Sequence, residues 1–139
     1  MSEITTRGCR WIAVPGAADA RGRVNFLQLG AGLEFQPQRL FWLHHIAPGQ
    51  WRGRHAHRES QLLFVAVHGG CRVDLDDGAV KQGVVLDDPT KALYMPPWIW
   101  HELSDFTPQC AILVAASTLF DEAEYLRDYE TFKRELPQR

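Results

Sequence analysis

Short apolar runs, each ended by a turn signal, constrain the fold of this chain more than any other feature. The runs cover residues 24–29, 40–46, 61–67, 71–75, 81–86, 92–95 and 111–117. Turn-forming pairs such as Pro48-Gly49 and Asp77-Gly78 separate them, and aspartate-glycine between two runs favours a β-hairpin. Because no helix-length segment lies between the runs, the pattern predicts an all-β sandwich or barrel rather than a parallel α/β sheet.

The composition fits one small globular domain. The 139 residues, 45% of them hydrophobic, are predicted to form a single domain over positions 1–139, since single cores typically hold roughly 100–200 residues. The net charge of -2 argues against a nucleic-acid partner, which needs a basic excess on one face. No apolar stretch approaches the roughly 20 residues that span a bilayer, so no membrane partner is expected.

The cysteines and the first residues bear on the compartment. Cys9, Cys71 and Cys110 are widely spaced and odd in number, which indicates neither a disulfide framework nor a structural zinc site. The first eleven residues lack the apolar segment of a secretory signal. A cytoplasmic protein with reduced thiols is therefore expected.

The two ends of the chain are patterned differently from the middle. Residues 1–20 are weakly patterned and are predicted to form an N-terminal arm. Residues 121–136 are predicted to form one C-terminal helix, with Asp121 as its cap and Glu124 in its first turn. Its apolar stripe consists of Tyr125, Tyr129, Phe132 and Leu136. The stripe is interpreted as a packing surface and is given no catalytic role.

A histidine pair in a polar segment carries the chemical signal. His55 and His57 are two residues apart, so on a strand both side chains point to the same face. Two imidazoles side by side in a barrel interior suit either metal ligation or proton transfer. The segment from Gly49 through His-Ala-His resembles the first conserved motif of the cupins, and Pro96 with His101 keeps the spacing of the second. The resemblance implies a jelly-roll barrel.

The residue after the histidine pair bears on whether a metal binds. In metal-binding cupins an acid at the place of Gln61 completes a three-histidine, one-carboxylate site. Glutamine is neutral and a weaker ligand, although Glu59 has the same strand parity as Gln61. No metal is therefore predicted, and a metal-dependent cupin enzyme of the dioxygenase type remains an alternative.

A longer resemblance covers residues 21–133. The segments that carry it are Arg21-Gly22, residues 38–42, Arg52-Gly53-Arg54-His55-Ala56-His57, residues 75–78, Trp100-His101-Glu102 and residues 121–129. In this order and spacing they resemble the nucleotide-sugar 3,4-ketoisomerases, which are WxcM-like, FdtA/QdtA-type cupins with a jelly roll of the RmlC type. The fold that this implies is a double-stranded β-helix followed by a C-terminal helix.

The family resemblance also implies an activity. Such enzymes move the carbonyl of dTDP-4-keto-6-deoxyglucose from C4 to C3 through an enediolate, without metal or organic cofactor, and serve deoxysugar or O-antigen-type biosynthesis. The reaction needs an acid/base pair with pKa values near neutrality, and histidine has such a pKa without any shift. By the family pattern, His55 and His57 are therefore the expected catalytic residues. The expected substrate-binding residues are Arg39, His101, Arg21, Arg52 and Gln61. Family members are homodimers, often with exchanged N-terminal strands, and a homodimer is expected here.

Two positions depart from the family pattern. The strand after Arg39 usually carries tyrosine, whereas this chain has Phe41, and a glutamate near the Arg21 element is replaced by Gln28. Phenylalanine cannot donate a proton and glutamine cannot act as a base. A non-catalytic cupin that binds a sugar nucleotide is therefore a third hypothesis.

Overall fold

Two five-stranded antiparallel sheets pack face to face in the computed structural model, which describes residues 3–138. The strands are β1 Arg10–Ala13, β2 Gly16–Asp19, β3 Gly22–Asn25, β4 Gln28–Leu29, β5 Gly32–Leu33, β6 Arg39–His44, β7 Arg52–His57, β8 Leu62–His68, β9 Cys71–Asp76, β10 Lys81–Leu86, β11 Lys91–Met95, β12 Trp100–Ser104, β13 Ala111–Ala116 and β14 Tyr125–Leu126. The first sheet has the order β1-β11-β8-β13-β6, and the second has β10-β9-β12-β7-β14. This arrangement confirms the predicted all-β jelly roll.

The core lies between the two sheets. Alternate residues of β8, such as Leu62 and Phe64, point inward and meet Val73 and Leu75 of β9, as the two-residue period of a strand requires. The intervening residues of β8 point to the outer face of the first sheet, where Leu63 and Val65 belong to a second apolar cluster. The parity along β8 therefore decides which side chains reach the barrel interior.

The predicted N-terminal arm contributes one strand, β1, to the first sheet. Strand β1 pairs in antiparallel register with β11 of the same chain, and β2 and β3 form a hairpin whose residues are almost all exposed. Positions 1 and 2 of the arm lie outside the described residues. The apolar run at 24–29 does not form one strand, because its two ends fall in β3 and β4.

The predicted C-terminal helix is present, but its predicted bounds, 121–136, are wrong. Asp121 caps a single 3₁₀ turn, Glu122–Glu124, and β14 follows at once. The α-helix, α1, runs only over Tyr129–Glu135, and the side chain of Asp128 caps it by accepting the Thr131 N–H. Asp128 is as good an N-cap as Asp121, and pairing with β7 extends the intervening residues. Phe132 of α1 is fully buried against the second sheet.

Among residues 3–138 no helix is long and apolar enough to cross a membrane.

Candidate active site

A β-bulge in β7 sets the position of the first histidine. His101 of β12 pairs with His55, whereas the next residue, Glu102, pairs with Gly53, so Arg54 is the extra residue. Gly53 and Arg54 both have positive φ, 91° and 60°. A Cβ atom at Gly53 would lie 2.9 Å from the His101 carbonyl oxygen, so glycine is required for the close approach.

Three histidines meet on the inner face of the second sheet. The ring centroids of His55 and His57 are 5.0 Å apart, and that of His101 lies 4.8 Å from His55. His57 and His101 are buried, whereas His55 is partly exposed to the cavity described below. The sequence prediction that His55 and His57 share a face and that His101 lies near them is consistent with this arrangement.

A buried carboxylate fixes the ring of His57. Glu124 Oε1 lies 2.6 Å from His57 Nδ1, and both side chains are about 95% buried. The Ser60 hydroxyl and the backbone N–H groups of Glu59 and Ser60 donate to the same carboxylate. Because these donors stabilise the ionised carboxylate, His57 Nδ1 carries the proton and its Nε2 is left as an acceptor.

The electrostatics keep the histidines neutral. Burial, reinforced by the charges of His57 and Arg127, lowers the pKa of His55 from 6.5 to about 4. Burial also lowers the pKa of His57, although Glu124 opposes this effect, and burial lowers that of His101 well below its usual value. For Glu124, burial raises the pKa, but hydrogen bonds from Ser60 and His57 outweigh it and lower the pKa overall. Near pH 7 the site therefore holds neutral imidazoles and one carboxylate.

Arg39 and Tyr125 lie beside the histidines. Strand β14 places Tyr125 opposite His57 in the register, and the phenol ring lies 4.5 Å from the His57 ring and 5.0 Å from that of His55. The Tyr125 hydroxyl is 3.5 Å from Arg39 Nη1. Within residues 3–138, Arg39 Nε and Nη2 are buried without a hydrogen-bond partner. A guanidinium held in this way is suited to an anionic ligand.

His55, His57 and Tyr125 border a cavity of about 730 Å³, whereas Arg39 and His101 lie outside its lining. Arg52 and Arg127 also belong to the lining, and Arg52 is one of the residues predicted to bind substrate. Phe41, which departs from the family pattern, lies in the wall of the same cavity. The volume falls in the range of small-molecule sites, and the arginines at its rim favour an anionic ligand.

Two residues predicted to bind substrate lie elsewhere. Arg21 is at the tip of the β2-β3 hairpin, where it pairs with Asp19 and its side chain is 91% exposed. Gln61 has the parity of Leu63, and its Oε1 accepts a hydrogen bond from Tyr94 on the outer face of the first sheet. In this chain both residues lie outside the cavity lining, and their part in substrate binding stays a prediction.

Three residues at or next to the cavity, Glu124, Tyr125 and Arg127, were not predicted from the sequence as site residues. A helix over 121–136 would place Glu124 in its first turn and Tyr125 in its packing stripe. The sequence signal that could have excluded these residues from the helix is Asp128. As an N-cap it marks a later helix start, and its side chain accepts the Thr131 N–H. Strand pairing between β14 and β7, which is a long-range contact, is what turns these side chains toward His57.

The three histidines are also the group best placed to hold a cation. One nitrogen each of His55, His57 and His101 lies within 4.8 Å of the others. Two nitrogen ligands at about 2.1 Å from one ion can be at most about 4.2 Å apart, so small ring movements would suffice. Among residues 3–138 no carboxylate joins this group, and Glu59, considered as a ligand from sequence, has an exposed side chain.

Comparison with known proteins assigns the family. The sequence profile described as "FdtA: WxcM-like, C-terminal" matches residues 7–136. The chain belongs to this family. The match covers both histidine motifs and the segment that contains Glu124 and Tyr125, so the predicted resemblance is confirmed.

Named relatives agree with this assignment. The chain is 36% identical over 116 residues to the TDP-4-oxo-6-deoxy-alpha-D-glucose-3,4-oxoisomerase of Aneurinibacillus thermoaerophilus, covering 84% of each protein. The structure of WlaRA, a TDP-fucose-3,4-ketoisomerase from Campylobacter jejuni, is similar with a TM-score of 0.88 and 29% identity, covering 94% of this chain and 96% of that one. A histidine-to-asparagine mutant of the 3,4-ketoisomerase QdtA from Thermoanaerobacterium thermosaccharolyticum, in complex with TDP-4-keto-6-deoxyglucose, gives a TM-score of 0.90 at 25% identity, covering 94% of both chains.

Proposed function

We propose that this protein is a nucleotide-sugar 3,4-ketoisomerase that acts on dTDP-4-keto-6-deoxyglucose. The observation that carries the proposal is the pair of neutral imidazoles, His55 and His57, at the wall of a cavity, with Glu124 fixing one of them. The relatives' activities support the substrate class. The reaction supplies a 3-keto sugar for deoxysugar biosynthesis, including the O-antigen type.

The chemistry is removal of a proton beside a carbonyl and its return to the neighbouring carbon. His55 is neutral and partly exposed to the cavity, so it takes the C3 proton and delivers it to C4. The negative charge that forms on the enediolate favours protonated His55 while the intermediate lasts. The His57 ring lies edge-on to the His55 ring, and the hydrogen bond between His57 and Glu124 keeps the His57 ring oriented.

Arginines account for binding of an anionic substrate. Arg39 has buried nitrogens without partners in residues 3–138, and its Nη1 lies 3.5 Å from the hydroxyl of Tyr125, which lines the cavity. From there its positive charge can stabilise the enediolate. Arg52 lines the cavity near its mouth with an exposed side chain, which suits a diphosphate. His101 lies behind His55 and supports its ring.

Direct assay tests the proposal. The protein is incubated with dTDP-4-keto-6-deoxyglucose, and 3-keto product is followed by NMR. We expect turnover by the wild type and at least about a 10²-fold loss in His55→Asn, since general acid-base groups contribute about 10²–10⁴-fold. His44→Asn is the matched control, because His44 is exposed on β6. Retained TDP binding without turnover by the wild type would favour the non-catalytic binding protein.

A metal-dependent enzyme is the second candidate, favoured by the proximity of His55, His57 and His101. Elemental analysis of protein purified without chelator distinguishes the metal-dependent enzyme from the cofactor-free isomerase. Stoichiometric iron, manganese or nickel, with turnover abolished by chelation and restored by the metal, would support the second candidate. Turnover that is unaffected by chelator would support the cofactor-free isomerase.

A homodimer in the cytoplasm is part of the same proposal. Exposed apolar side chains share a groove on the outer face of the first sheet, including Phe26, Leu40 and Val67. Apolar patches of this kind on a folded domain mark interaction sites, and the family resemblance favours a second copy as the partner. The free cysteines, all buried, suit a reducing compartment.

A further inference from the structure

The 3,4-ketoisomerisation moves two protons, and the two travel between different atoms. The carbon-bound proton passes from C3 to C4. The hydroxyl proton passes from O3 to O4, because the hydroxyl at C3 becomes a carbonyl and the carbonyl at C4 becomes a hydroxyl. The proposed function assigns the first transfer to His55. It assigns no group to the second.

We propose that Tyr125 relays the hydroxyl proton between the two sugar oxygens. The inference rests on the proposed function and adds a proton-transfer residue to it. After His55 takes the C3 proton, the C–H electron pair forms the C3–C4 double bond and the carbonyl electrons move to O4. The phenol then gives its proton to O4 and takes the proton of O3. The carbonyl forms at C3 as C4 receives the proton from His55, so both residues end as they began and no oxidant or reductant is needed.

Elimination among the tyrosines points to this residue. The chain contains three tyrosines. Tyr94 donates to Gln61 at 2.7 Å on the outer face of the first sheet, and Tyr129 donates to Asp76 at 2.6 Å beside the C-terminal helix. Neither lines the cavity that contains the histidines, whereas Tyr125 does. It is therefore the one phenol of this chain that can reach a substrate bound there.

The other cavity-lining side chains do not offer an alternative. None of the residues that line the cavity is a serine, threonine, aspartate or glutamate. The arginines there remain protonated at all working pH values. Glu124 is buried behind His57 and is saturated with donors. Besides the histidines, Tyr125 is thus the only group in the lining that can both give and take a proton.

The surroundings of Tyr125 suit the transfer. Its ring packs against both His55 and His57, so a sugar that places C3 near His55 brings its oxygens near the phenol. Arg39 Nη1 lies 3.5 Å from the hydroxyl, and the Arg127 guanidinium lies 4.6 Å from the ring centroid. These two positive charges stabilise negative charge on the phenolic oxygen while the proton is in transit.

Tyr125→Phe, compared with Tyr94→Phe, tests the relay, since both variants delete one phenolic oxygen. We expect turnover by Tyr125→Phe to fall by about 10²-fold or more, with the Kd for TDP within about threefold of wild type, and turnover by Tyr94→Phe to be unchanged. Turnover by Tyr125→Phe within threefold of the control would overturn the relay, as would a tenfold loss of TDP affinity, which would indicate a binding role.

Isotope effects identify the step that is slowed. With substrate deuterated at C3, Tyr125→Phe should show a primary isotope effect near 1, because breaking the C3–H bond is no longer limiting, and a solvent isotope effect larger than that of the wild type. A large primary effect would contradict the relay, because it would place Tyr125 in the carbon-proton step. Failure of the wild type to turn over would instead count against the proposed function itself.

Discussion

At the scale of single residues, the Glu124 carboxylate is the feature that most distinguishes His57 from His55, the two histidines that we propose as catalytic residues. The carboxylate accepts hydrogen bonds from His57, the Ser60 hydroxyl and two backbone N–H groups. These donors offset the cost of burying a charge. His57 is thereby held in one tautomer, whereas His55 has no carboxylate partner among the hydrogen bonds and ion pairs of residues 3–138 and is tuned mainly by burial.

Replacing Glu124 with glutamine should weaken turnover without unfolding the protein. The amide keeps a hydrogen-bond acceptor but loses the negative charge, so we expect a roughly 10²-fold lower kcat. Because Glu124 raises the pKa of His57, the variant should show a lower His57 pKa in an NMR titration. Glu135→Gln, which changes an exposed carboxylate paired with Arg58, is the control. An unshifted His57 pKa in Glu124→Gln would rule out this role.

The depressed pKa values also predict how stability depends on pH. The folded state holds His55 with a pKa of about 4, below the 6.5 of an unfolded histidine. Between these values the unfolded state binds more protons, so the free energy of unfolding falls as pH drops from 6.5 toward 4, by at most about 1.4 kcal/mol per pH unit for each such histidine. Urea unfolding at pH 7 and pH 5 measures this. The free energy of unfolding should differ less between pH 7 and pH 5 in His55→Gln than in the wild type, and as much as in the wild type in His44→Gln. An unchanged difference in His55→Gln would contradict the prediction.

At the scale of elements, the site depends on two irregularities of the second sheet. The bulge at Gly53 and Arg54 lets β7 approach β12 closely enough for His55 to meet His101. The short β14, which continues the sheet beyond β7, brings Glu124 and Tyr125 to the same place. Fully buried Phe132 of α1 packs near Leu126 and holds this segment against the barrel.

Gly53→Ala should damage the site through the backbone. Alanine at φ 91° is strained by about 1–2 kcal/mol, and its Cβ would lie 2.9 Å from the His101 carbonyl and 3.4 Å from the His101 ring. We expect lower stability and lower turnover. Gly49→Ala is the control, since Gly49 has φ 78° but open space around its Cβ position. Equal effects of the two substitutions on turnover would show that strain alone, and not displacement of His101, is responsible.

At the scale of the whole molecule, the two sheets have different outer faces. The outer face of the first sheet exposes Leu40 and Trp42 of β6 at 58% and 63%, and β6 is an edge strand. An apolar edge of this kind is open to pairing or packing with another chain. This face therefore carries the dimer that we propose.

Trp42→Glu should give a monomer. A carboxylate in an apolar contact between subunits is costly because it must be desolvated, whereas on an exposed surface it is tolerated. Size-exclusion chromatography with light scattering measures the mass. Val85→Glu, at a similarly exposed apolar position on β10 of the second sheet, should leave the mass unchanged. A wild type that is itself a monomer would disprove the dimer.

The sequence by itself determined the strand pattern, the fold class and the histidine pair, because the two-residue period of a strand and the spacing of the motifs are local properties. It could not determine which faces the remaining polar residues take. Gln61 and Arg21 lie outside the cavity, whereas Tyr125 lines it and Glu124 is buried behind His57. Those positions follow from strand parity in the folded sheets and from the pairing of β14 with β7, which joins residues almost 70 positions apart in the chain. Such long-range pairing has no local signature, so only the tertiary structure decided the composition of the site.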